Sequence, residues 1–333
     1  VKPILVICGP TAIGKTSLGL KLARDLNGEL VSVDSRQVYQ GMNIGTGKDI
    51  DGAVFEEEVI GTDKASKYNF GFYKVKGVKL WLCDLVKPDY SFNAVDFVFC
   101  AQKVIENIWQ RGKLPVLAGG TGLYLKALFQ GLDTTVAPDW DLRVNLSSWS
   151  VVKLKERLKK LSLEKFEALN QSDVHNPRRL IRAIEIVLAK GKVKKDSSRS
   201  LKGFSEANSL WLGLRLDFKS LYQKIDQRVN ERVKAGLEGE IKELLVQGYH
   251  WQNSVLGTTL GYRQWQSFFE GRMDRSQIIE KWQFAEHAFA RRQMTWFKKQ
   301  KQIDWFDLGK KDWQKGLAGV VMAWYDQVHA QDN

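Results

Sequence analysis

The chain has 333 residues, 44% of them apolar, with a formal net charge of +13 and a pI of about 9.5. That length supports a full hydrophobic core, in one large domain with an insertion or in two domains, and no apolar run nears the roughly 18 residues of a membrane span. Cys8, Cys83 and Cys100 are scattered, which excludes a disulfide framework and a zinc finger; with no signal-peptide layout at the start, a cytoplasmic protein is expected.

In chain order, residues 4–8 read as a buried strand, and residues 15–26 as a helix stopped by Asn27-Gly28. Residues 29–33 form a second strand that ends at Asp34, and 45–65 look irregular. Alternation over 69–82, with Lys76-Gly77 at its centre, predicts a hairpin. An amphipathic helix over 95–111 leads to a third short strand, 114–118, then Gly119-Gly120-Thr121-Gly122 and a helix from 123. Strands alternating with helices predict an α/β fold with a parallel sheet flanked by helices. Residues 138–170 are polar and helical in pattern, so a small helical insertion is expected there, followed by a helix over 178–190 and a basic linker over 192–200. Residues 210–216 return to the sheet, 218–246 and 275–299 are long helices, and 303–306 form a last short strand.

The charge is unevenly spread. Residues 151–200 hold 14 Lys and Arg against 6 Asp and Glu, which is +8 of the +13. A second cluster, Arg291, Arg292, Lys298, Lys299 and Lys301, surrounds Trp296 and Phe297. Basic surfaces with aromatics suit looped or single-stranded RNA, where bases stack on rings.

Three strand ends carry chemistry. Gly9 and Gly14-Lys15-Thr16, separated by four residues, follow a strand and open a helix. Such a loop wraps phosphate oxygens with backbone N–H groups from Gly9, Thr11, Ala12, Ile13 and Gly14, adds the point charge of Lys15, and offers the Thr16 hydroxyl to Mg²⁺. Asp34 and Thr121 lie at the ends of the next two strands, the side of an open α/β sheet where ligands bind. These features alone fit a nucleotide-dependent kinase or ATPase, or a transferase that cradles another diphosphate.

GPTAIGKT, DSRQVYQGMNIGTGK, GKLPVLAGGTGLYLKAL, NPRRLIRAIEI, LGYR and RRQMTWF occur in this order over nearly the whole chain. The set resembles the bacterial tRNA dimethylallyltransferases, also called tRNA isopentenyltransferases. The resemblance implies a P-loop NTPase-like core, 1–134 and 174–333, with an inserted helical tRNA-binding subdomain, 135–173. It implies transfer of a dimethylallyl group from dimethylallyl diphosphate to N6 of the adenosine just 3′ of the anticodon, by a Mg²⁺-dependent monomer acting on the tRNA anticodon stem-loop. The alternatives are a small-molecule kinase, a free-nucleotide isopentenyltransferase or an RNA-binding ATPase. By the same resemblance Lys15, Asp34, Thr121 and Arg228 are catalytic. The tRNA contacts fall on Asp34, Ser35, Arg36, Gln37, Thr121, Arg143, Arg178, Arg179, Arg182, Gly261, Tyr262 and Arg263, and Lys153, Lys155, Lys159 and Lys160 suit stem phosphates. The chain departs from the family pattern at Lys79-Leu80-Trp81-Leu82, at Glu286-His287-Ala288-Phe289 and in a longer stretch from 48 to 78.

Overall fold

The computed structural model describes residues 2–50, 52–60, 67–132, 136–189 and 203–330. In chain order the first half runs β1 (Pro3–Cys8), α1 (Lys15–Asp25), β2 (Gly28–Val33), β3 (Phe55–Glu57), β4 (Gly71–Val75), β5 (Val78–Trp81), α2 (Ala94–Gln110), β6 (Leu114–Gly119) and α3 (Gly122–Gln130). Four helices follow, α4 (Trp140–Ser147), α5 (Val151–Leu161), α6 (Leu163–Glu167) and α7 (Pro177–Ala189). The chain then forms β7 (Asn208–Arg215), α8 (Phe218–Lys234), α9 (Leu237–Val246), α10 (Tyr262–Phe269), α11 (Arg275–Phe297), β8 (Ile303–Asp307) and α12 (Trp313–Ala330). Among the described residues, no helix is long and apolar enough to cross a membrane.

Two compact units divide these elements, Val1–Gln130 with Phe204–Asn333, and Gly131–Gly203. The first is an α/β unit around one sheet of order β3-β4-β5-β2-β6-β1-β7-β8. Strands β5 to β8 in that order are parallel, and β1, β2 and β6 are buried along their whole or nearly whole length, as strands covered on both faces must be. The sheet is mixed rather than parallel throughout, which corrects the expectation: β4 runs antiparallel to β5 and β3 antiparallel to β4. The expected hairpin supplies that reversal. Lys76 and Gly77 both have positive φ (49° and 82°), the geometry of a two-residue turn whose twist matches its strands. The expected irregular stretch contains β3, whose three residues are largely exposed and so carry little hydrophobic pattern. The long helix expected over 218–246 breaks at Gly236 (φ 99°) into α8 and α9.

The second unit is helical. Leu146, Leu154, Leu158, Leu180, Ile181, Ala183 and Ile184 form its core, and Asp139, Ser150 and Ser162 cap α4, α5 and α6. Its extent differs from the expected 135–173. The apolar stripe of α7 packs on α4 and α5, so α7 belongs to the insertion and not to the α/β core. The expected linker over 192–200 lies outside the described residues.

Candidate active site

Register brings the three chemical strand ends level. Cys8 on β1 pairs with Gly119 on β6, and Gly119 pairs with Val33 on β2. Gly9, Asp34 and Gly120 therefore leave the sheet side by side, as the carboxyl ends of parallel strands do.

Past β1 the chain turns through Ala12 (φ 60°) and Gly14 (φ 90°) into α1. Lys15 folds back so that its Nζ donates to Pro10 O at 2.6 Å. Burial pulls the Lys15 ammonium down to about 8, with repulsion from Arg228 adding to it and Asp34 opposing it. The Thr16 hydroxyl is half-buried in the first turn of α1 and makes no hydrogen bond among the described residues.

Asp34 divides its two oxygens. Oδ1 accepts from the backbone N–H of Arg36 (2.7 Å) and Gln37 (3.4 Å), while Oδ2 has no hydrogen-bond partner among the described residues. Beside it, Ser35 N–H donates to Thr121 Oγ1 at 3.2 Å, and Thr121 N–H donates to Val33 O. A carboxylate, a hydroxyl and the glycine-containing loop thus stand together at one edge of the sheet.

Gln293 on α11 locks the loops together, and sequence reasoning missed it. Its Oε1 accepts from Thr11 N–H at 2.8 Å, and its Nε2 donates to Gly120 O at 3.0 Å. α11 comes so close that a Cβ on Gly120 would lie 2.1 Å from Gln293 Nε2, and one on Gly122 would lie 2.2 Å from the Trp296 ring. The available signal was a polar residue on the buried stripe Ala290, Gln293, Met294 and Phe297. That stripe also corrects the expected base-stacking platform: Phe297 is fully buried, and Trp296 packs against Gly122.

Arg228 reaches the same side from α8, its Nη2 3.3 Å from both Gly47 O and Asp49 Oδ1. Gln37 is committed internally, accepting from Ser32 Oγ (2.7 Å) and donating to Gly47 O (2.8 Å). Arg36 Nη2 donates to Thr258 O at 3.4 Å. Of the 261–263 stretch, Arg263 is exposed, while Gly261 and Tyr262 are buried. The Tyr262 hydroxyl donates to Glu240 Oε1 at 2.6 Å, and Glu240 also accepts from the N–H groups of Asn43, Ile44 and Gly45. Glu240, also missed, therefore fixes the segment that presents Gly47.

Within the helical unit, Arg143 and Arg182 converge on Glu185. Arg143 binds both its oxygens at 2.9 Å, and Arg182 adds Val136 O at 2.8 Å. Burial pushes the Glu185 carboxyl up, but hydrogen bonds from Arg143, Arg182 and the Asp139 N–H outweigh it and hold the group below its usual value. Arg179 pairs with Asp173, and Arg178 is exposed with no ion pair among the described residues.

A family model described as IPP transferase matches residues 53–300, and one described as isopentenyl transferase matches residues 2–65. The chain is 35% identical to a tRNA dimethylallyltransferase of Roseiflexus sp., over 97% of this chain and 99% of that protein. It is 33% identical to one of Anoxybacillus flavithermus, over 92% and 90%. Its structure is similar to the crystal structure of a tRNA isopentenylpyrophosphate transferase from Bacillus halodurans, with a TM-score of 0.67 and 29% identity, covering 100% of this chain and 99% of that one. With the strand ends, the glycine-containing loop and the match along the full length all in agreement, the chain belongs to the tRNA dimethylallyltransferase family.

Proposed function

We propose that the protein transfers a dimethylallyl group from dimethylallyl diphosphate to N6 of an adenosine in tRNA, the one just 3′ of the anticodon, and releases diphosphate. The observation that carries this reading is the convergence of the 9–16 loop, Asp34 and Thr121 at adjacent carboxyl ends of parallel strands, braced by Gln293. The loop acts as a P-loop for the leaving group. Its N–H groups other than that of Thr11, which Gln293 Oε1 holds instead of phosphate, stabilise negative charge with Lys15 and Arg228 as the allylic C–O bond breaks. Asp34 Oδ2 accepts the proton from the adenine amine as the N6–C bond forms, and Thr121 orients the base. The adenine leaves its stack to enter the cleft, which an anticodon loop makes cheaper than a duplex.

No cluster of three or more His, Cys, Asp or Glu among the described residues is arranged for a metal. The uncommitted Thr16 hydroxyl and the donor's own phosphate oxygens fit the hard, oxygen-preferring Mg²⁺, which supplies further charge neutralisation on the diphosphate when bound. In the helical unit, exposed Lys153, Lys159, Lys160 and Arg178, with half-buried Lys155, contact anticodon-stem phosphates, where binding gains affinity more than sequence choice.

The test is a transfer assay with labelled dimethylallyl diphosphate, offering tRNA, free AMP and water as acceptors and ATP as competitor. Label on tRNA is the expected result. Label on AMP alone, or ATP hydrolysis without prenyl transfer, overturns the reading.

A further inference from the structure

Arg228 and Arg232 lie four apart on α8, and both guanidinium groups end against Gly47. A Cβ built there would meet Arg232 Nη2 at 2.3 Å and Arg228 Nη2 at 2.5 Å. The two arginines differ in their partners. Arg228 has Gly47 O and Asp49. The Arg232 side chain is only 11% exposed, and its nearest acid, Glu286, is 3.8 Å away, beyond hydrogen-bond reach. Its Nε is buried without a hydrogen-bond partner. Glu286 accepts instead from Trp282 Nε1 at 3.1 Å, and the Trp282 ring lies 5.9 Å from the Arg232 guanidinium.

A guanidinium carries five donors and keeps its proton, so burying one with no acceptor is unfavourable unless a ligand supplies the acceptors. Its neighbours sharpen the demand. Burial, followed by repulsion from Arg228, pulls Arg232 down to about 10, and Lys15 experiences the same two effects. Arg228 thus repels both Lys15 and Arg232, with Asp34 and Asp49 opposing at Lys15 and Glu286 and Asp49 at Arg232. The missing partner is a compact polyanion with oxygens at two separated centres.

We propose that Arg232 and Arg228 form a two-guanidinium subsite for the distal phosphoryl group of the diphosphate, while the 9–16 loop and Lys15 hold the proximal one. The assignment rests on the diphosphate reading above and adds to it a residue that binds the leaving group from the α8 side.

The test measures binding of inorganic pyrophosphate and of inorganic phosphate to the full chain by calorimetry, with prenyl transfer to tRNA followed alongside. The variants are Arg232→Met, Arg232→Lys, and Arg232→Met with Glu286→Gln, the last removing both buried charges together. Both Met variants should weaken pyrophosphate about tenfold or more and lose most of its preference over phosphate. Arg232→Lys should recover part of that loss, and tRNA affinity should stay within about twofold. A folded double variant with wild-type pyrophosphate affinity overturns the assignment while leaving the diphosphate reading intact. A wild-type protein that does not bind pyrophosphate overturns both.

Discussion

Asp34 shows how one side chain can serve structure and chemistry at once. Oδ1 caps the turn at Arg36 and Gln37, and Oδ2 has no hydrogen-bond partner among the described residues. Asn keeps the capping oxygen and loses the base, so Asp34→Asn should retain the melting temperature and tRNA affinity while kcat falls about 100-fold or more. Near-normal turnover in Asp34→Asn removes Asp34 as the base. Lys15 gives a prediction in pH. Its pKa in the folded protein, about 8, lies below the ordinary lysine value of 10.5. Between those values the unfolded chain holds a proton that the folded one lacks, so the free protein gains stability as pH rises through this window, and carries the full penalty of a buried ammonium below it. A diphosphate reverses the preference by restoring the charge. Pyrophosphate binding should therefore take up protons increasingly above about pH 8, read from calorimetry in buffers of different ionisation enthalpy. Lys15→Met should abolish the uptake, and an uptake that survives Lys15→Met assigns it elsewhere.

At the scale of elements, Gly9, Asp34 and Gly120-Thr121 were legible because each ends a short apolar run with a residue type that ends strands. The antiparallel run of β4 against β5 was legible from the Lys76-Gly77 turn, but β3 was not, because its three largely exposed residues carry little hydrophobic pattern. The limits of the insertion were misjudged for another reason: the stripe of α7 announces a buried face but does not name what buries it. Trp296 and Phe297 misled in the same way, since basic flanks drew them into an RNA surface while helical spacing put Phe297 in the core. Arg232 was hidden as the fourth residue after Arg228 on a helix that reads as a charged surface. Gln293 was unreadable as a brace because both of its partners are backbone atoms remote in sequence, Thr11 N–H and Gly120 O. Gln293→Leu leaves those two groups unpaired, at about 1–3 kcal/mol each. The expected outcome is a lower melting temperature, a higher donor KM and a kcat reduced at least about tenfold, because the loop and Thr121 lose their common anchor. Wild-type donor KM and kcat in a folded Gln293→Leu protein refute the bracing role.

At the scale of the molecule, the +13 charge is an RNA-binding resource only if its concentrated part touches RNA. Residues 151–200 carry most of it, and α5 turns Leu154 and Leu158 inward while Lys159 and Lys160 stay exposed. Lys159 also rests over the Phe166 ring at 4.7 Å, a contact of about 0.5–1 kcal/mol at an exposed site. Reversing Lys155 and Lys159 to Glu should cost little beyond that in stability, since the leucines that hold α5 are untouched. Its effect on RNA should be larger and of a distinct kind. Each phosphate contact releases counterions, so losing two should flatten the dependence of log Kd on log salt by about 1.4–1.8. The loss of affinity should be greatest at low salt and similar for different tRNA sequences, because stem phosphates carry no sequence information. Transfer to saturating tRNA should keep its kcat, since neither lysine belongs to the cleft. A slope equal to that of the unaltered protein means the helical unit does not touch the RNA, and the charge there then serves solubility alone.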